Sequence, residues 1–164
     1  MRKLLFAAAA LAALSPAVGL ADKAPKLPHP SPPPQQPVGA SASYATHNGS
    51  RMTVVTNPPG PNGLSSFAIY YDLPSPWMAH LVAPRELLVD GVANLNDGSI
   101  VANARVFLSG CPMSFPYRVT GHLTENGMIL DGPAPEIYPG CIIAALTFNA
   151  NSHLEFHEAL GGPR

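Results

Sequence analysis

Past residue 50, apolar and polar positions alternate along the chain in short runs. Phe67, Ile69, Tyr71 and Leu73 share one side of such a run, with Ala68, Tyr70 and Asp72 between them. Ile100, Ala102, Ala104, Val106 and Leu108 alternate with Val101, Asn103, Arg105 and Phe107. Tyr117, Val119, Gly121 and Leu123 alternate with Arg118, Thr120, His122 and Thr124, and Leu154 and Phe156 alternate with His153, Glu155 and His157. A period of two with one apolar face predicts half-buried strands. Segments 51–56, 86–94, 127–131 and 141–149 are further strand candidates, which brings the expectation to about eight strands.

Turn signals separate these runs. Asn62-Gly63, Asp97-Gly98 and Asn126-Gly127 fall between them, and Asn or Asp before Gly suits hairpin turns that need a positive φ. Asp90-Gly91 and Asp131-Gly132 lie within or at the end of runs, where bulges are expected. His47-Asn48-Gly49-Ser50 stands just before the run at 51–56 and reads as a tight turn leading into it, although it also matches the Asn-x-Ser glycan acceptor. No stretch over ten residues keeps a helical period. Short gaps favour antiparallel neighbours, so the fold class is all-β: a single antiparallel up-and-down barrel of about eight strands, with a two-sheet β-sandwich as the alternative. Ala102, Ala104 and Gly121 on the inward stripe leave room for bulky residues opposite, or for a ligand.

The first 39 residues read differently. Arg2 and Lys3 precede an apolar run of 11 residues, Leu4 to Leu14. Ser15-Pro16 follows, then Gly19-Leu20-Ala21 with small residues at the −3 and −1 positions. This pattern predicts a signal peptide over 1–21. Eleven helical residues rise only about 16 Å, too little for a bilayer core about 30 Å thick, so no membrane span is expected. Seven of the 14 residues from Pro25 to Val38 are proline. A Pro-rich linker over 22–39, extended and semi-rigid, is therefore expected before a β-barrel-like domain at 40–164.

Charge and cysteines narrow the classes. Residues 40–164 hold five arginines, no lysine and nine acidic residues, a net charge of −4. Nucleic acid binding rests on neutralising phosphates, so no nucleic acid partner is expected. Cys111 and Cys141 are the only two cysteines, and an even pair in an exported domain predicts a disulfide. No Cys-x-x-Cys spacing supports a redox role.

A series of short segments carries a resemblance. It runs through His47-Asn48-Gly49-Ser50-Arg51-Met52, Ile69-Tyr70-Tyr71 and Ala104-Arg105-Val106-Phe107. It continues through Cys111-Pro112, Tyr117 with Val119 and Gly121, Gly132-Pro133-Ala134-Pro135, Cys141, and Asn151-Ser152 with Leu154 and Phe156. It resembles a small exported β-domain of uncharacterised alphaproteobacterial proteins, with a His-Asn-Gly-Ser-x-Met entry and two spaced cysteines. The chain departs from that pattern at Ala102-Asn103, where Gly-Thr is expected. The resemblance implies compartment and fold and brings no activity with it.

Candidate chemistry is sparse. His153, Glu155 and His157 share one strand face, but neighbours there are about 7 Å apart, so three ligands for one ion would need the strand to bend. The segment reads as a solvated outer face, with no metal site expected. The connection at 74–86 carries the only tryptophan, Trp77, with Met78, His80 and Leu81. It is too long for a simple hairpin and is the expected route for binding, in preference to His47–Ser50. Arg105, the sole charge in its run, faces solvent, pairs with an acid such as Glu155, or stands at a barrel mouth. Trp77, Met78, His80 and Arg105 are thus the candidate ligand- or partner-binding residues. Hydrolase, Walker and dinucleotide signatures are missing, so no catalytic residue and no cofactor is expected.

The expected function is a non-catalytic, exported binding domain, periplasmic or secreted, holding a small apolar or amphipathic ligand. The alternative is a protein-interaction module, such as an inhibitor or partner of a periplasmic enzyme in the envelope. The leader makes one clear demand: exported protein should begin at or near Asp22. N-terminal sequencing that returned an intact Met1 would contradict it.

Overall fold

The computed structural model describes residues 39–158. The expected signal peptide and the linker up to residue 38 lie outside the described residues. Within them are ten strands and no helix. In chain order they are β1 (Ser41–His47), β2 (Ser50–Thr56), β3 (Leu64–Leu73), β4 (Leu87–Asn94) and β5 (Ser99–Val106). Then follow β6 (Phe115–Thr124), β7 (Gly127–Asp131), β8 (Ala134–Tyr138), β9 (Ile142–Thr147) and β10 (His153–Glu158).

Eight of them close an antiparallel barrel in the order β1-β10-β7-β6-β5-β4-β3-β2. Closure pairs every strand edge and so removes the exposed edges that an open sheet would present. β8 and β9 form a separate hairpin inserted between β7 and β10. The number of barrel strands agrees with the sequence pattern, but the membership differs. Segment 141–149 is not a barrel strand; its centre is β9, outside the barrel. Its place is taken by β1, whose sequence SASYATH buries only Ala45 and His47 and so carries almost no apolar stripe.

The predicted inward stripes point inward except at Leu73 and at Leu108, which lies beyond the end of β5 and is exposed. Phe67, Ile69 and Tyr71, then Ile100, Ala102, Ala104 and Val106, then Tyr117 and Val119, then Leu154 and Phe156 are buried. Met52, Ile69, Val89, Ile100, Val119, Leu130 and Phe156 are fully enclosed, so side chains fill the barrel interior. Truncating an enclosed aromatic such as Phe156 to alanine typically costs about 3–5 kcal/mol.

Three local expectations are corrected. Leu73 turns outward because Asp72 is an extra residue in β3: Met52 pairs with Tyr71, but Arg51 pairs with Leu73. A one-residue slip moves the following side chain to the other face. The bulge expected at Asp90-Gly91 lies at Leu88 instead, since Ile69 pairs with Val89 and Tyr70 with Leu87. Gly121 does not make room for a side chain. A Cβ there would stand 1.8 Å from the Ile129 carbonyl oxygen, so the glycine lets the β7 backbone approach.

Up-and-down topology sorts the connections between two ends. The lower end carries the links at 57–63, 95–98 and 125–126. The upper end carries the β1–β2 turn, the 74–86 and 107–114 connections, and the 132–152 insertion. Cys111 and Cys141 form a disulfide with Cα atoms 5.7 Å apart, tying the tip of the β8–β9 hairpin to the β5–β6 connection. Disulfides persist in oxidising compartments. Breaking this one by a Cys111→Ala, Cys141→Ala double substitution should cost about 2–4 kcal/mol in denaturant melts. Unreduced, denatured wild type should show no thiol to a labelling reagent. Two labelled thiols would overturn the assignment.

Candidate functional site

The upper end encloses a cavity of about 180 Å³. Its walls come from strand ends and from two connections. Tyr71 ends the inward stripe of β3, and Tyr117 and Val106 stand at the top of β6 and β5. Trp77, Met78 and Leu81 come from the 74–86 connection, and Phe107 from the next. His47, Asn48 and Ser50 close the remaining side.

The His47–Ser50 turn is a two-residue hairpin, with His47 paired to Ser50. Asn48 and Gly49 both take positive φ, 46° and 74°. That is what a type I′ turn requires, and Asn-Gly is its preferred sequence. The turn also holds a buried ring in a defined position. His47 is buried and stacks on Phe156 with ring centroids 4.7 Å apart. Its Nδ1 lies 2.8 Å from the Glu155 carbonyl oxygen, which can only accept, so Nδ1 carries the proton. Burial lowers the His47 pKa below 6.5; the Glu155 hydrogen bond opposes this and the nearby His153 adds to it. The ring is therefore neutral near pH 7, and Nε2 accepts from the Asn48 side-chain amide at 3.2 Å.

Ser50 is buried and its Oγ accepts from the Ser75 backbone N–H at 2.9 Å. This bond fastens the start of the 74–86 connection to the β1–β2 turn. Ser75 then opens two successive single turns: its carbonyl accepts from Met78 and Ala79, and the Met78 carbonyl accepts from Leu81 and Val82. Pro76, directly after Ser75, suits such a start because its missing N–H is not needed there. At the far end Tyr71 exchanges backbone bonds with Arg85 and Glu86, so both ends of the connection are fixed. Segments 74–86 and His47–Ser50 thus border the same cavity and are tied to each other.

Of the residues singled out from sequence, Trp77, Met78 and Arg105 line the cavity and His80 does not. Met78 is 8% exposed and closes the barrel end together with buried Val82. Trp77 is 55% exposed and stands at the rim. His80 is exposed. The Arg105 guanidinium is engaged by Asp90, not Glu155: Nη1 and Oδ1 are both sealed from solvent and face each other at 2.6 Å. The outward face of β10 holds His153 beside Asp131 at 2.7 Å and His157 beside Glu155 at 3.3 Å. Among the described residues no three His, Cys, Asp or Glu side chains gather around one point.

Sequence reasoning did not name Tyr71, Tyr117, Phe107 or Asn151 among the binding candidates. Tyr71 and Tyr117 are held neutral by burial, which pushes both hydroxyls up to about 12. The Tyr117 hydroxyl donates to the Asn151 carbonyl, which pins the start of β10 to β6. The two tyrosines were readable as inward residues; the missing signal was which strand ends share an end of the barrel. No family model, curated protein or solved structure matches this chain.

The neutral His47 gives stability a pH dependence with a definite sign. Its folded pKa lies below the unfolded value, so the unfolded chain binds its proton first as pH falls. The contribution is complete above pH 6.5 and is lost as pH drops through the folded pKa. The stability gap between wild type and His47→Gln should therefore shrink on acidification. Denaturant melts from about pH 7.5 to about pH 5 measure it. A gap that widens toward acid would show that His47 is charged in the fold.

Proposed function

We propose that the chain is a non-catalytic binding domain that holds one small, neutral, amphipathic molecule at the upper end of its barrel. The cavity is the observation that carries this reading. At about 180 Å³ it lies below the roughly 300–1,000 Å³ of sites for drug-sized ligands. It is close to the roughly 150 Å³ of cavities that accept a single benzene ring. The Tyr71, Tyr117, Phe107 and Trp77 rings suit a flat apolar body, and the Tyr71 hydroxyl and the Asn48 amide suit one polar substituent. Its one charged lining residue, Arg105, is already engaged by Asp90, which favours a neutral ligand over a carboxylate.

Support for the non-catalytic part comes from the same groups. The His47 ring nitrogens are both engaged, the Ser50 hydroxyl is used in tethering Ser75, and the two tyrosines are neutral. None is left as an activated nucleophile or base. The leader pattern and the disulfide support a periplasmic or secreted location. The alternative, a protein-interaction module such as an inhibitor or partner of a periplasmic enzyme, draws on the exposed apolar hairpin at the same end.

Trp77 is the only tryptophan, so its fluorescence reports directly on the rim. Phenol should change that emission saturably, and benzoate of similar size should do so far more weakly. By calorimetry, Trp77→Ala should weaken phenol binding by about 1–2 kcal/mol. It should leave the melt almost unchanged, because the side chain is half exposed. Absence of saturable phenol binding in the millimolar range, or equal binding of benzoate, would count against the proposal.

A further inference from the structure

We propose that the upper end of the barrel docks on an electrically neutral lipid surface, with the β8–β9 hairpin dipping into it. The hairpin is the first observation. β9, Ile142–Thr147, has no charged residue and is exposed at five of its six positions, on both faces. Ile142 is 63% exposed, Leu146 58%, and Phe148, just beyond the strand, 79%. Such a ribbon is ill suited to a single flat partner, which would cover one face and leave the other wet. A fluid apolar medium covers both.

The second observation is continuity. The hairpin tip is bonded through Cys141 to Cys111, beside Met113, which is 63% exposed. A shallow depression of about 330 Å³, with Glu86 and Ser114 at its wall, joins Cys111 and Met113 to Leu81 and Phe107, which also line the cavity under Trp77. Trp77, Met113, Tyr138, Ile142, Leu146 and Phe148 therefore form one exposed apolar crown from three separate connections. Apolar exposure of that extent marks an interaction site, and tryptophan and tyrosine suit the boundary between lipid and water.

Charge selects the kind of surface. Residues 40–164 carry −4 and no lysine, which disfavours anionic headgroups. Across the three connections, 74–86, 107–114 and 132–152, the charged side chains are Arg85, Glu86 and Glu136. A zwitterionic surface fits. A second copy of the chain fits less well. Edge pairing through β9 is hindered by a bulge, since Glu136 pairs with Ala145 and Ile137 with Ile143, leaving Ala144 extra. Bulges blunt edge strands. Face-to-face packing of two hairpins would still leave one face of each exposed. The proposal is independent of whether the cavity is filled.

The test uses the chain from Asp22 onward, which contains the whole barrel, with phosphatidylcholine vesicles. Wild type should co-sediment with them, and Trp77 emission should shift to shorter wavelength and be quenched by lipids brominated in the acyl chain. Binding should survive high salt. An Ile142→Asp, Phe148→Asp variant should lose at least tenfold in partitioning with its thermal melt unchanged, because both side chains are exposed. Three results would overturn the idea: no binding to phosphatidylcholine, binding that requires anionic lipid, or equal partitioning of the variant. A wild-type dimer in sedimentation velocity that the same substitutions dissociate, without vesicle binding, would assign the crown to a second copy.

Discussion

Closure of the barrel rests on the seam between β1 and β10. Among the described residues, Ala45 faces Glu158 and Thr46 faces His157 across that ladder. His47 extends the seam with its side chain. Its Nδ1–H reaches the Glu155 carbonyl, and its ring lies on Phe156. A buried neutral imidazole suits this task because it offers a flat apolar face, a donor and an acceptor at once. Burying a charged ring there would carry a desolvation penalty, and burying a purely apolar one would leave the Glu155 carbonyl without that partner.

The same residue links the seam to the upper end. His47 sits one position before the Asn48-Gly49 turn, and Ser50, one position after it, tethers the 74–86 connection through Ser75. Closing the barrel therefore also positions the rim of the cavity. The two ends diverge from there. Below, short turns finish the strands. Above, three longer connections, one of them carrying the disulfide-tied hairpin, bring exposed apolar side chains together. Binding surfaces commonly lie on connections held by a rigid scaffold, and here the scaffold is filled and the 74–86 connection is fastened at both ends.

Much of the barrel was legible because its inward stripes are strongly apolar. Phe67-Ile69-Tyr71 and Ile100 to Val106 alternate clearly, and side-chain direction follows from the strand period alone. β1 was not legible because a strand whose inner face is one alanine and one histidine has no hydrophobic pattern. Segment 141–149 misled in the opposite way. It is apolar enough to read as a barrel strand, yet its side chains face outward, and periodicity does not report what covers a residue. The Asp72 bulge flipped Leu73 for a reason that no local signal at Leu73 carries. At the site, the weight given to the 74–86 connection came from Trp77 and Met78. The turn at His47 was explained by its glycine, and that explanation hid the buried ring beside it. Strand parity alone would have placed both segments at the same end.

The state of His47 tests the central claim most directly, because seam, turn and cavity rim all depend on a neutral ring protonated at Nδ1. Long-range proton–nitrogen correlation NMR on nitrogen-15-labelled protein reads both ring nitrogens at about pH 7. The account predicts a protonated Nδ1 and an unprotonated Nε2 for His47. A ring protonated at Nε2 alone, or an imidazolium with both nitrogens protonated, would contradict it.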